Sequence, residues 1–137
     1  MYLDPIKNIN GFLYIATPYS KYPHGKEQAN IDACKFAAIL IGAGIPCFSP
    51  IAHSHAIAQL GGIDPDSHAI WLPADQPFID RAAAIVVVMM DGWRDSYGVS
   101  YEIDQFTKAE KPIFYLSPRV GIVNSVHFPM VAPLVSA

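Results

Sequence analysis

The sequence predicts an α/β fold of the flavodoxin-like kind: a three-layer sandwich around a doubly wound parallel sheet, strand order 2-1-3-4, with a fifth edge strand from the tail. Three observations carry that expectation. Short apolar runs that stop at Thr, Pro or Asp alternate with segments of helical periodicity. Strand, helix and strand follow one another within ~35 residues, as in a right-handed parallel crossover. The most hydrophobic run, residues 84–90, is apolar along its whole length, as a central strand buried on both faces must be.

Taken in order, residues 12–16 form a first strand, rich in aromatic and branched side chains and stopped by Thr17 and Pro18. After a Gly- and Pro-bearing loop, a helix is expected over 27–43, with Ile31, Cys34, Ala38 and Ile41 as its apolar stripe and Gly44 ending it. Residues 45–49, bounded by Pro46 and Pro50, read as a second strand. Over 51–75 the pattern weakens to a helical turn around 55–60 and a Gly- and Asp-rich loop, a region expected to lie over a site. A short helix over 76–82, with Asp75 as N-cap and Pro77 in its first turn, leads into the central strand. Residues 91–97 are a loop, 98–110 a helix and 112–116 a strand, and a Pro-interrupted tail follows.

Composition narrows the function. The 137 residues suit one domain spanning 1–137, and at 52% hydrophobic the chain can enclose a core. Charged residues are only 15%, against roughly 25% in an average soluble chain, which excludes disorder and suggests surface buried in a homo-oligomer. Nine Lys and Arg stand scattered against twelve Asp and Glu, for a net charge of −3, so a polymeric nucleic acid is not an expected partner. The longest apolar run, 82–90, is under half of the ~20 residues that cross a bilayer, and no membrane partner is expected. The N-terminal segment has no secretory or transit pattern, which makes the cytoplasm the expected compartment. There Cys34 and Cys47 are expected as two buried thiols rather than a disulfide.

In such sheets ligands bind beyond the carboxyl ends of the strands where the winding reverses, here between the first strand and the 84–90 strand. That singles out two loops, 17–20 and 91–98. Glu102 stands on the buried edge of the helix after the second loop, three residues after Val99 and four before Phe106. Two roles fit it: a site carboxylate, or a first-turn glutamate that offsets the helix dipole or pairs with Arg94. Ser96 and Gly98 open the same helix, where free N–H groups suit a phosphate or other anion; Ser96 as a simple N-cap is the alternative. Asp75 or Asp80 offers a second carboxylate, and Tyr14 a phenol beside the cleft that needs a partner. His53, His55 and His68 with Asp64 and Asp66 raise the question of a metal, but no ligand pair at helical spacing supports one. Gly-rich dinucleotide and phosphate-loop motifs are missing, so no cofactor is expected.

Three segments resemble the nucleoside 2-deoxyribosyltransferase superfamily and its nucleotide-hydrolysing relatives: Leu13-Tyr14-Ile15-Ala16-Thr17-Pro18-Tyr19, Ala83-Ala84-Ile85-Val86-Val87-Val88, and the Ser96-to-Glu102 segment, similar to the family's Ser-x-Gly-x-x-x-Glu, with Lys111-Pro112-Ile113 after it. The chain departs from that pattern at Ala83-Ala84, where the family has Ala-Asp, and in an additional Trp93. The segment from Ser49 to His55 resembles a branch other than the best-known transferases. The resemblance implies that Glu102 is the nucleophile at the anomeric carbon, that Tyr14 orients it, and that Asp75 or Asp80 protonates the departing base. It further implies that Ser96 and Gly98 hold the 5′ end of the sugar and that the chain assembles as dimers or larger. From their places at the strand ends, in the two loops and in the His-bearing segment, Ala16, Thr17, Pro18, Tyr19, His53, His55, Asp91, Gly92 and Trp93 are expected to line the substrate site. The expected function is hydrolysis or transfer at the N-glycosidic bond of a nucleoside or nucleoside 5′-monophosphate; a non-catalytic nucleotide-binding module is the alternative.

Overall fold

The computed structural model describes residues 3–118 and 130–131. Its elements are α1 (Asp4–Lys7), β1 (Leu13–Ala16), α2 (Lys26–Gly42), β2 (Cys47–Phe48), α3 (Pro50–Gly61), α4 (His68–Arg81), β3 (Ala84–Val88), a 3-10 turn (Trp93–Asp95), α5 (Tyr97–Lys108), β4 (Ile113–Leu116) and β5 (Met130–Val131). The sheet order is β2-β1-β3-β4-β5. Its first four strands are parallel, with Tyr14 beside Ile85 and Val86 beside Phe114, and β5 closes the edge antiparallel to β4. This is the flavodoxin-like winding that the alternating pattern predicts.

Strand alternation sorts the core into two layers. Leu13, Ile15, Ala84, Val86, Val88, Phe114 and Leu116 pack with Phe36 and Leu40 of α2 and Ile6 of α1. The intervening residues Tyr14, Ala16, Ile85, Val87, Ile113 and Tyr115 pack with Ile79 of α4 and with Val99 and Phe106 of α5. The helices fall on opposite faces because both crossovers are right-handed while the strand order runs outward in opposite directions from β1 and β3. Among the described residues, no helix is long and apolar enough to cross a membrane.

Three expectations are corrected. The buried face of α2 is Ala29, Ala33, Phe36 and Leu40, whereas Ile31, Cys34, Ala38 and Ile41 turn outward. The apolar residues of α2 do not gather on one side, so periodicity admits two stripes, and the one bearing Phe36 and Leu40 takes the core. Cys34 is accordingly an exposed free thiol, and Cys47 a half-buried one. The stretch 51–75, where the pattern weakens, is mostly helical, taking in nearly all of α3 and the first half of α4. Ser49 caps α3, its Oγ accepting from the Ala52 N–H at 3.1 Å, and Gly62 ends it in the left-handed conformation. α4 begins at His68 and continues through Pro73 and Pro77, so Asp75 is an interior helical residue and not an N-cap. Prolines that ordinarily interrupt a helix shortened the predicted one; stacking of Phe78 on Phe48, centroids 4.0 Å apart, and burial of Ile79 fasten α4 to the sheet despite them.

Candidate functional site

β1 runs on toward α2 on one face and β3 toward α5 on the other, so the chain parts at the carboxyl ends of these two neighbours. A cleft of about 160 Å³ opens there, lined by Thr17, Tyr19, Ser20 and Lys21 after β1, by Ser96, Gly98 and Glu102 of the α5 start, and by Trp71, Leu72 and Asp75 of α4. A larger hollow of about 290 Å³ lies on the α2 side, between Tyr22, Asp32, Phe36 and Met90. Among the described residues it is lined by no buried carboxyl, whereas the smaller cleft is lined by Glu102.

Glu102 holds the position of an apolar residue. With Val99 and Phe106 it forms the buried stripe of α5, and only 8% of it is exposed. The Tyr14 hydroxyl, fully enclosed on β1, donates to Glu102 Oε2 at 2.6 Å. Burial pushes the Glu102 carboxyl up to about 8; the Tyr14 hydrogen bond opposes that shift and the nearby Asp75 charge adds to it. Asp75 is also raised by burial, to about 6. Desolvation first, then the charge of Glu102, raises the Tyr14 phenol, which therefore stays protonated as a donor. Two carboxyls with displaced affinities for a proton thus share one cleft, an arrangement suited to acid and nucleophile or base roles.

The surroundings hold this pair in place. Tyr101 donates to Gln76 Oε1 at 2.6 Å, and Gln76 Nε2 donates to Gln105 Oε1 at 3.1 Å, locking α4 against α5 one residue from Asp75. Ser96 caps α5, its Oγ accepting from the Val99 N–H at 3.2 Å, and so fixes the first turn that leads to Glu102. Ser20 and Lys26 both reach Asp66, at 2.5 and 2.9 Å, strapping the loop after β1 to the loop before α4. His68 stacks on Tyr97 at 4.3 Å and bridges the starts of α4 and α5. Thr17 is 4% exposed, and its Oγ1 has no hydrogen-bond partner among the described residues, an unmet polar atom on the cleft wall.

Of the residues singled out from the sequence, Glu102, Asp75, Thr17, Tyr19, Ser96 and Gly98 line the cleft, and Tyr14 touches it through Glu102. Ala16 and Pro18 are buried beside it without lining it. Asp80 stands outside, exposed and bonded by Gln76 Nε2 at 2.8 Å. Asp91, Gly92 and Trp93 border a different hollow of about 330 Å³. The left-handed Gly92, φ +80°, carries the chain into the 3-10 turn, Trp93 packs against Tyr115, and Asp91 meets His24 at 2.9 Å. His53 and His55, one residue apart on helical α3, diverge: His53 packs against Phe48 and Phe78, while His55 bonds Tyr19 and Glu27. Among the described residues, no group of three or more His, Cys, Asp or Glu side chains is placed to hold a metal ion. Sequence reasoning missed Trp71, Leu72, Gln76 and Glu27. The first three become visible only once α4 is read as a helix through its prolines, and Glu27 is an ordinary first-turn acid until His55 is seen to turn toward it.

No curated protein matches the sequence. A family model described as a domain of unknown function, DUF1937, matches residues 11–118, which takes in β1 through β4 and every residue lining the cleft; the chain belongs to that family.

Proposed function

We propose that the protein is a cytoplasmic enzyme of N-glycosidic bonds, hydrolysing or transferring the base of a nucleoside or nucleoside 5′-monophosphate through Glu102. The Tyr14–Glu102 pair carries the reading: a carboxyl buried at the cost of desolvation, held at one oxygen by a phenol, with its face on a cleft that a second carboxyl shares. Ionised Glu102 attacks C1′ as the bond to the base breaks, and Asp75 gives its proton to the departing base nitrogen. Water or an incoming base then attacks C1′, the glycosyl ester breaks, and the Asp75 carboxylate takes up the proton released. Ser96 and Gly98 face the 5′ end of the sugar across the α5 N-terminus.

The active form has Glu102 ionised and Asp75 protonated. Burial favours the proton on Glu102, so the active form is the minor one of a coupled pair. Its population, and with it kcat/KM, follows a bell with limbs near the raised values of about 6 and about 8. A nucleotide-binding role without turnover is the second reading, favoured by the same direction at Glu102, since a neutral carboxyl binds without attacking. The outward apolar residues Ile31, Cys34, Ala38 and Ile41 support a homo-oligomer, and two free thiols support a reducing compartment.

Incubation with ribo- and deoxyribonucleosides and their 5′-monophosphates, followed by chromatography, tests the proposal. Free or exchanged base is expected from at least one of them, falling at least about a thousandfold in Glu102→Gln. Release from none, or release that survives the substitution, contradicts it.

A further inference from the structure

We propose that Tyr19 is a hydrogen-bond acceptor presented to the ligand, held in that role by a Glu27–His55 pair that never touches the ligand itself. The inference rests on the nucleoside reading of the cleft and adds to it which kind of group the ligand must offer.

Tyr19 stands in the cleft wall two residues beyond Thr17. Its hydroxyl lies 2.8 Å from His55 Nδ1, and the imidazole meets the phenol ring edge-on with centroids 5.8 Å apart. His55 is 8% exposed, and its other nitrogen, Nε2, lies 3.0 Å from Glu27 Oε1. A carboxylate oxygen can only accept, so Nε2 carries the hydrogen. In the neutral ring Nδ1 is then a bare lone pair, and the Tyr19 hydroxyl must donate to it. The phenol has one hydrogen, and it is spent on His55; what remains for the cleft is lone pairs. The nearby cation makes its hydrogen bond to a different group, Lys26 Nζ donating to Asp66 at 2.9 Å.

A ligand N–H or O–H opposite Tyr19 is therefore accepted, while a carbonyl there sets lone pair against lone pair. In a nucleoside the donor is an amino group on the base or a hydroxyl on the sugar. Glu27 acts at a distance by selecting the tautomer, as a carboxylate does behind a metal-bound histidine, and both Glu27 and His55 are positioning residues.

Two measurements test this on the full chain. In protein labelled with ¹⁵N-histidine, the His55 imidazole is expected to carry its hydrogen on Nε2 with Nδ1 bare; a hydrogen on Nδ1 overturns the proposal. Calorimetric binding is then compared for adenosine against inosine, which exchanges amino for carbonyl, and for adenosine against its 2′-deoxy and 3′-deoxy forms, which remove sugar donors. One arm is expected to show preference for the donor-bearing probe, identifying its source. Tyr19→Phe should reduce that preference roughly three- to tenfold, the worth of one neutral hydrogen bond. Glu27→Gln, at an exposed position that leaves packing intact, should reduce it similarly by freeing the tautomer. Unchanged preference in both variants refutes this inference alone. No binding of any probe to the wild-type chain refutes the nucleoside reading and this inference with it.

Discussion

The two faces of one sheet are built from the same strands and treat polarity in opposite ways. Toward α2, β1 and β3 present Leu13, Ile15, Ala84, Val86 and Val88, and the helix answers with Phe36 and Leu40; that layer is apolar throughout. Toward α4 and α5 the alternate residues include Tyr14, and the helix answers with Val99, Glu102 and Phe106. A phenol and a carboxyl occupy positions that aliphatic side chains fill on the other side. The first face is organised for stability, and the second gives some of it up to keep an acidic group dry beside a cleft. That expense marks the cleft as the candidate site and is more informative than the size of a hollow, since hollows of about 290 and 330 Å³ lie elsewhere.

Substitutions that break this contrast should differ in sign. Leu40→Ala removes a fully buried side chain from the apolar face and should lower unfolding free energy by about 2–5 kcal/mol in denaturant titration. Base release measured well below the melting temperature should be little changed. Glu102→Gln should do the reverse, stabilising the protein while abolishing turnover. The Glu102 value in the folded state is raised from 4.5 to about 8, so the folded protein binds that proton more tightly than the unfolded chain. Its contribution is fully present below pH 4.5 and is lost as pH rises toward 8. Glutamine cannot ionise, so the gain over wild type should grow from near zero at pH 4.5 to about 3 kcal/mol at pH 7. A stability gap that stays flat across that window would mean that the carboxyl is not desolvated in solution.

A smaller effect separates the two aspartates that the sequence leaves as alternatives. Asp80→Asn, at an exposed side chain outside the cleft, should change stability by less than about 0.5 kcal/mol and leave base release intact. Asp75→Asn should lower base release by about a hundredfold or more, least for bases that depart readily. Equal losses in both variants would remove Asp75 from the acid role.

Much of this was legible in the sequence, for identifiable reasons. β1, β3 and β4 are short apolar runs between Pro, Gly or Asp, and their alternation with helical segments fixes the winding, hence the place of the cleft. Glu102 stood out because it interrupts a stripe that Val99 and Phe106 define. What escaped reading was helical continuity through Pro73 and Pro77, because local proline chemistry argues for a break and only the tertiary contacts of Phe78 and Ile79 overrule it. With α4 shortened, Asp75 looked like a cap and Trp71 and Leu72 like loop residues. The buried stripe of α2 is hidden for a different reason: apolar residues stand on both its buried and its exposed sides, and sequence periodicity carries no information about which set meets the sheet. Asp91, Gly92 and Trp93 were adjacent to the cleft in sequence, and the backbone turn at Gly92 carried them away from it.

The central claim is that Glu102 is a buried carboxyl bound by Tyr14 at the floor of the cleft. Its most direct test is a ¹³C NMR titration of the Glu102 carboxyl carbon, assigned by comparison with Glu102→Gln and repeated in Tyr14→Phe. A midpoint near 8, moving higher when the phenol donor is removed, is the predicted result. A midpoint in the ordinary range near 4.5, indifferent to the Tyr14 substitution, would contradict the account.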